Sequence, residues 1–166
     1  MPAHVVIHSP VGPLTLVATD GALSGLYMEL QRHRPSEETF GAPADPDTEP
    51  FATAAAQLAA YFAGELTEFD VPLHLHGTPF QKRVWAALQE IPYGETITYG
   101  ELAAELGNPS ASRAVGLANG RNPVGLIVPC HRVVGSTGSL TGYGGGLDRK
   151  RHLLDFERKT RTATLF

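Results

Sequence analysis

The chain has only one cysteine, Cys130, and this scarcity excludes several kinds of protein. A single cysteine cannot form an internal disulfide, and it cannot build a cysteine-rich zinc site. No apolar run reaches the roughly 18 residues that a membrane span requires. The first residues also lack the basic stretch followed by an apolar stretch that marks a secretory signal. We therefore expect a cytoplasmic protein with no role in a membrane.

Charge is sparse and unevenly divided, because charged residues make up 18% of the chain and leave a net charge of −4. Residues 1–77 carry a net charge of −8, and residues 78–166 carry +4. A basic half beside an acidic half is compatible with a nucleic-acid-binding face on the second half alone. Ordinary solvated charge gives the same asymmetry, so charge alone does not decide between the two.

Turn residues and alternating hydrophobicity predict a strand-rich first part. The expected strands are residues 4–8, 14–18 and 22–29, separated by Pro-Val-Gly-Pro and Asp-Gly turns. Residues 31–50 are polar and rich in proline, which predicts a loop. Residues 51–62 have helical spacing, and residues 69–76 predict one more short strand.

The second part of the sequence is mainly helical in pattern. Thr78 is the expected N-cap of a helix over residues 79–91, and Thr98 that of a helix over residues 99–106. Asn108 and Pro109 open a further helix that runs to about residue 119. Two short helices joined by a tight, glycine-containing turn predict a helix-turn-helix, although helical hairpins without a DNA role have the same pattern.

The remaining segments are a short strand over residues 126–128, a glycine-rich loop over residues 135–146 and a final helix over residues 147–158. The whole pattern predicts an α/β (α+β) fold with a boundary near residues 76–78. Residues 1–76 form a small domain of β-sheet plus helix that supports its neighbour. Residues 77–166 form a mainly helical domain with the helix-turn-helix.

Cys130 is the candidate nucleophile, and it lies between Pro129 and His131. A free thiol is only a few per cent ionised near pH 7, so a base or a positive environment must activate it. Neighbours in an extended strand point to opposite faces, so contact with His131 needs a turn or a bridging water. The carboxylates that could orient this histidine are Glu101, Glu105, Asp155 and Glu157. A buried structural cysteine and a cysteine hydrolase are the alternatives at this point.

The motif Pro-Cys-His-Arg-Val-Val of residues 129–134 resembles the active-site motif of the O6-alkylguanine-DNA alkyltransferases, or methylated-DNA–protein-cysteine methyltransferases. Other segments are similar to that family in order and spacing, and they extend the resemblance densely over residues 78–157. These segments are residues 91–95, 98–99, 112–116, 119–123, 142–146 and 153–157.

The resemblance implies a role for each matching residue of the site. Cys130 corresponds to the acceptor nucleophile, and His131 to the residue that activates it through a water. Glu157 corresponds to the carboxylate that orients the histidine. Asn122 corresponds to the asparagine that braces the active-site turn, and Tyr99 to the tyrosine whose hydroxyl meets guanine N3.

The resemblance also implies a DNA-binding surface. Arg113 corresponds to the arginine that fills the gap left by an extruded nucleotide. The backbone carbonyls of Cys130 and Val133 correspond to those that read the guanine amino group, and the loop around Tyr143 and Gly144 closes over the base. Small residues of the second helix permit a close approach to the minor groove, or serve helix packing alone: these are Ala111, Ala114, Gly116 and Ala118.

The expected function is therefore a single, irreversible transfer of an alkyl group from O6-alkylguanine, and also from O4-alkylthymine, in duplex DNA to Cys130. Base flipping precedes the transfer, because O6 lies inside the duplex. The expectation includes a monomer, no cofactor and no metal. The alternatives are a non-catalytic sensor of alkylated DNA and a cysteine hydrolase. The presence of Cys130 argues against the sensor, because sensors of this fold replace the acceptor cysteine.

Overall fold

A computed structural model describes residues 2–29, 31, 34–136, 138 and 146–164. Six strands and five helices lie in this part of the chain, with 3-10 turns at Glu37–Phe40, Pro109–Ala111 and Cys130–Arg132. The strands are β1 Ala3–Ile7, β2 Leu14–Thr19, β3 Ala22–Met28, β4 Ala42–Pro43, β5 Ile97–Thr98 and β6 Val133–Val134. The helices are α1 Phe51–Phe62, α2 Pro79–Leu88, α3 Tyr99–Glu105, α4 Ser112–Gly120 and α5 Leu147–Thr164.

The first half forms a four-stranded sheet with the order β3-β2-β1-β4. Strands β1, β2 and β3 pair antiparallel, whereas the two-residue β4 runs parallel to β1. Helix α1 follows the sheet and buries Ala54, Leu58 and Tyr61. The expected α/β composition, with a small sheet and a helix before a mainly helical half, is confirmed.

Threonine caps start two helices of the second half. The Thr78 hydroxyl accepts a hydrogen bond from the Gln81 backbone N–H, and the Gln81 side-chain oxygen accepts one from the Thr78 backbone N–H, which closes a capping box. Thr98 and Glu101 form the same box at the start of α3. Both helix starts therefore lie where the sequence predicts them.

Several segments differ from the prediction. Residues 69–76 do not form a strand, and only Leu73 makes an isolated bridge to Leu23. Residues 126–128 form a turn rather than a strand, since Leu126 takes a positive φ of 70° and the chain folds back on itself. The predicted loop of residues 31–50 contains a 3-10 turn and β4, and the final helix runs on to Thr164.

One continuous core joins the two halves of the sequence. Leu26 of the sheet, Leu58 of α1, Trp85 of α2 and Leu153 of α5 are all fully buried within it. The Trp85 indole N–H donates to the Ala118 carbonyl at 2.9 Å and so connects α2 to α4. Burial of such large side chains contributes about 1.5–3 kcal/mol each, so this core fixes the positions of α4 and α5 around the turn between them.

Candidate active site

Cys130 lies in a turn that two asparagine side chains hold in place. The Asn122 amide donates to the Val128 carbonyl at 2.7 Å, and its oxygen accepts from the Val124 backbone at 3.0 Å. The Asn119 amide, at the end of α4, donates to the Cys130 carbonyl at 3.3 Å. These bonds replace the β-ladder that an extended segment would have. They bring the nucleophile to the start of a 3-10 turn beside α4.

Burial makes the thiol of Cys130 a poor acid. The residue is only 7% exposed, and burial raises its pKa above the usual value for cysteine. A hydrogen bond with the Asn122 side chain and the charge of Lys150 oppose this rise without cancelling it. Cys130 therefore rests as a thiol, and its use as a nucleophile requires a base that removes the proton.

His131 and Glu157 form a buried pair next to the nucleophile. His131 Nε2 lies 2.7 Å from Glu157 Oε2, and both side chains are almost completely shielded from solvent. Burial lowers the pKa of His131 despite the carboxylate beside it. The pKa of Glu157 lies well below its usual range because charge and hydrogen bonds from His131 and Arg132 outweigh the effect of burial. Near pH 7, the histidine is neutral and the glutamate is ionised.

This ionisation fixes the tautomer of the histidine. An ionised carboxylate can only accept hydrogen bonds, so His131 Nε2 carries the proton and donates it to Glu157. The other ring nitrogen, Nδ1, is then a lone-pair acceptor. Within the described part of the chain, buried Nδ1 has no hydrogen-bond partner. A buried acceptor of this kind can take up the proton of a nearby thiol, directly or through a water.

Glu157 also accepts hydrogen bonds from residues that the sequence analysis did not assign to the site. Arg132 donates from Nε to Oε1 at 2.8 Å and from Nη2 to Oε2 at 3.1 Å, and its Nη1 donates to the Ile91 carbonyl. The Tyr61 hydroxyl donates to Oε2 at 2.6 Å from helix α1. Arg132 adjoins His131 in the motif and could have been suspected. Tyr61 is 96 positions away from Glu157 in sequence and gave no signal.

Lys150 is a second feature that sequence reasoning missed. It lies on α5, is fully buried, and its Nζ is 5.8 Å from the centre of the Tyr99 ring. Burial lowers the pKa of Lys150 to about 8, although the charge of ionised Cys130 raises it. The mutual attraction means that a thiolate at Cys130 and a cation at Lys150 stabilise each other. In sequence Lys150 lies between Arg149 and Arg151, and no local pattern distinguishes it from these two basic residues.

Of the four carboxylates that spacing left open, the structure brings only Glu157 to the histidine. Asp155 has a side chain that is 67% exposed, and it lies 4.0 Å from Arg158. Glu101 is committed to the Thr98 capping box. Glu105 is exposed at the end of α3.

Tyr99 and the small residues of α4 lie on two adjacent helices. The capping box places Tyr99 in the first turn of α3, where it is half-buried. A Cβ on Gly116 would lie 3.8 Å from the Tyr99 ring, which is ordinary van der Waals contact. Packing against this ring therefore does not require glycine at position 116.

The predicted DNA-binding residues divide into exposed and buried ones. Arg113 and Ala114 are exposed on α4, and Leu117 beside them is 69% exposed. Ala118 is only 3% exposed and belongs to the core, so the structure supports helix packing rather than a DNA-facing position for it. Its side chain points inward because it lies about one turn after the buried Val115, on the same face of the helix.

The predicted base-binding residues are only partly described. Val133 is fully buried in β6 and pairs with Ile97 of β5. Tyr143 and Gly144 lie outside the described residues. Across the described part of the chain, no group of three or more His, Cys, Asp or Glu side chains could hold a metal ion. No helix there is both long enough and apolar enough to cross a membrane.

Comparisons with known proteins point to one family over nearly the whole chain. Residues 79–159 match the model for the 6-O-methylguanine DNA methyltransferase DNA binding domain, and residues 4–75 match that for the ribonuclease-like domain of the same family. A methylated-DNA–protein-cysteine methyltransferase of Mycobacterium bovis is 57% identical, over 96% of this chain and 94% of its own. A methylated-DNA–protein-cysteine methyltransferase of Methanosarcina acetivorans is 52% identical over 93% of this chain and 97% of its own.

Solved structures agree with this fold. The crystal structure of the Mycobacterium tuberculosis O6-methylguanine methyltransferase has a TM-score of 0.87 at 56% identity, covering 96% of this chain and 94% of its own. The crystal structure of Mycobacterium tuberculosis OGT in complex with DNA has a TM-score of 0.89, and the match covers 95% of this chain and 94% of that one. The chain belongs to the 6-O-methylguanine DNA methyltransferase family.

Proposed function

We propose that this protein repairs DNA by moving an alkyl group from O6 of guanine to the sulfur of Cys130, once per molecule. The observation that carries the proposal is the buried Cys130 thiol in the same turn as a neutral His131 that an ionised Glu157 orients. Relatives that are more than 50% identical are named methylated-DNA–protein-cysteine methyltransferases, which supports transfer from DNA to a cysteine. O4-alkylthymine, which presents a similar alkyl–oxygen bond, is the expected secondary substrate.

The transfer begins with the thiol proton, which moves to His131 Nδ1 directly or through a water. Glu157 stabilises the imidazolium that results, and Lys150 stabilises the thiolate. The sulfur then attacks the alkyl carbon. A carbon–sulfur bond forms, the carbon–O6 bond breaks, and its electron pair stays on the guanine.

The departing guanine carries negative charge and needs a proton. Tyr99 lies next to Lys150 and is the proposed donor, from its hydroxyl to N3 of the base. The His131 imidazolium then releases a proton and Tyr99 regains one, through solvent or neighbouring side chains, so that overall the proton lost by the thiol balances the proton gained by the guanine. The thioether at Cys130 is a very poor leaving group, and this explains why the proposed reaction stops after one turnover.

Helices α3 and α4, joined by the 3-10 turn at Pro109–Ala111, form the proposed helix-turn-helix. The exposed face of α4 carries Arg113, Ala114 and Leu117, and we assign it to the minor groove. Arg113 fills the space of the flipped nucleotide and offsets part of the few kcal/mol that unstacking costs. Phosphate contacts dominate affinity, so sequence preference is small.

The division into residues 1–76 and 77–166 is retained as part of the proposal, with the first as a support for the second. A monomeric state and a cytoplasmic location are also retained. The Mycobacterium tuberculosis OGT in complex with DNA supports DNA as the partner.

The first experiment mixes the protein with a duplex that carries one O6-methylguanine and analyses the Cys130 peptide by mass spectrometry. One added methyl on Cys130, with repair that ends at one lesion per protein molecule, is the expected result. Cys130→Ala is the matched control, which is expected to bind the lesion without repairing it. An unmodified Cys130 in a protein that binds the lesion would identify a sensor. Ester or peptide turnover without lesion binding would identify a hydrolase.

A further inference from the structure

Tyr61 connects helix α1 of the first half to the carboxylate behind the nucleophile. Its hydroxyl lies 2.6 Å from Glu157 Oε2, and the residue is fully buried. Phe62, Phe69 and Phe156 surround its ring, with ring centroids 5.1–5.7 Å apart. Close packing on several sides leaves the ring little freedom, so the hydroxyl is held at a fixed point beside the carboxylate.

The hydroxyl acts only as a donor towards Glu157. Burial, followed by the nearby charge of Glu157, raises the pKa of Tyr61 far above the usual value for tyrosine. The phenol is therefore neutral near pH 7, and an ionised carboxylate offers only lone pairs. Oε2 thus accepts from Tyr61, His131 and Arg132 together.

Resting on the proposed function, we propose that Tyr61 is a positioning residue for alkyl transfer: its hydroxyl orients Glu157 and limits how strongly the carboxylate attracts the His131 proton. The first half of the chain then contributes one hydrogen bond to the reaction besides its support of the second half. The claim concerns the basicity of His131, because Tyr61 and His131 compete for the same carboxylate oxygen.

The direction of the effect follows from this competition. Without the hydroxyl, more negative charge on Oε2 faces His131, and the imidazolium becomes more stable. The pKa of His131 then rises, and the histidine becomes an effective base only at higher pH. The other charged or titratable groups around His131 are Arg132, Lys150 and Cys130, and removal of the hydroxyl leaves all three in place.

The test compares single-turnover alkyl transfer from free O6-benzylguanine to Cys130 at a series of pH values. In Tyr61→Phe, the acid-side midpoint of the rate is expected to rise by about half a pH unit, which slows transfer about threefold on that limb. Tyr93→Phe is the matched control. It removes a hydroxyl from the same aromatic cluster, but that hydroxyl bonds to Thr160 rather than to Glu157.

A second variant covers the case in which Tyr61→Phe does not fold. Incorporation of 3,5-difluorotyrosine at position 61 makes the phenol a stronger donor with little change of shape. The acid-side midpoint is then expected to fall below that of the wild type. A midpoint in Tyr61→Phe equal to that in Tyr93→Phe, or a fluorinated variant that shifts the midpoint upward, would overturn the role of Tyr61.

Failure of the proposed function gives a different result. If wild-type Cys130 stays unmodified, the alkyl transfer itself is refuted. The nitrogen NMR shifts of the His131 ring in the same proteins still test the coupling. The wild type is expected to show the Nε2–H tautomer, and Tyr61→Phe a measurable change. Identical shifts in the two proteins would refute the coupling without reference to any substrate.

Discussion

Replacement of Glu157 with glutamine tests the buried network most directly. Glu157 is 1% exposed and accepts hydrogen bonds from Tyr61, His131 and Arg132. Glutamine supplies one acceptor oxygen, and its amide N–H groups face donors. Arg132 then keeps its charge in a buried position without a negative partner, and its acceptors are the Ile91 carbonyl and at most the one oxygen that residue 157 retains.

The size of the expected loss of stability follows from the charge of Arg132, which loses its ionised partner. Breaking a buried ion pair by removal of one partner costs about 3–5 kcal/mol. At about 2–4 °C for each kcal/mol in a chain of this size, the melting midpoint is expected to fall by roughly 10 °C. Alkyl transfer is expected to be lost as well, because the imidazolium of His131 no longer faces a negative charge.

The assay is thermal unfolding at pH 7, followed by circular dichroism, with Asp155→Asn as the control. Asp155 is an exposed carboxylate on the same helix and is expected to change the midpoint by less than about 1 °C. Arg132→Met combined with Glu157→Gln removes the stranded charge and is expected to recover a part of the loss. A fall of less than about 2 °C in Glu157→Gln, or no recovery in the double variant, would refute the account of the network.

Three further predictions concern pH, the active-site turn and DNA. Burial in the folded protein lowers the pKa of His131, so the unfolded chain takes up a proton at a higher pH than the folded chain does. The free energy of unfolding is therefore expected to decline as pH falls below about 6.5. Denaturant midpoints at pH 7 and pH 5 measure this decline, and equal midpoints would contradict it. Asn122→Ala leaves the Val128 carbonyl without its donor and is expected to destabilise the fold by about 1–3 kcal/mol in urea unfolding, whereas an unchanged midpoint would show that the turn holds itself. Arg113→Ala is expected to slow repair of duplex DNA more than reaction with free O6-benzylguanine, and equal losses would remove its proposed role in flipping.

Local signals explain which parts of the fold were predictable. The two capping boxes start at threonines that the sequence marks, and α1 covers the predicted residues 51–62. The predicted strand of residues 69–76 failed because Pro72 has no N–H to donate, and only the bonds around Leu23 formed. The apolar residues 126–128 predict a strand, but the Asn122 side chain bonds to the backbone at Val124 and Val128 and holds a turn instead. Only the family resemblance pointed to this brace.

The site was predictable only where its residues adjoin one another in a motif. Cys130 and His131 stand side by side, and the family resemblance selected Glu157. Tyr61 and Lys150 were not predicted, because each reaches the site through the tertiary packing of a helix. A fully buried tyrosine and a buried lysine read in sequence as ordinary residues of amphipathic helices, and only the fold gives them a partner.

The outer edge of β3 in the first sheet determines how residues 1–76 would behave if they were separated from the rest of the chain. The outer edge of β3 bonds to two segments, since Leu23 exchanges hydrogen bonds with residues 72–74, and the Leu26 N–H donates to the Pro123 carbonyl. Separation of residues 1–76 from the rest would strip away Pro123 and leave the Leu26 N–H and a large apolar face open. An open strand edge is a template for pairing with another chain. The first half, expressed alone, should therefore aggregate, and the second half acts as its protective cover.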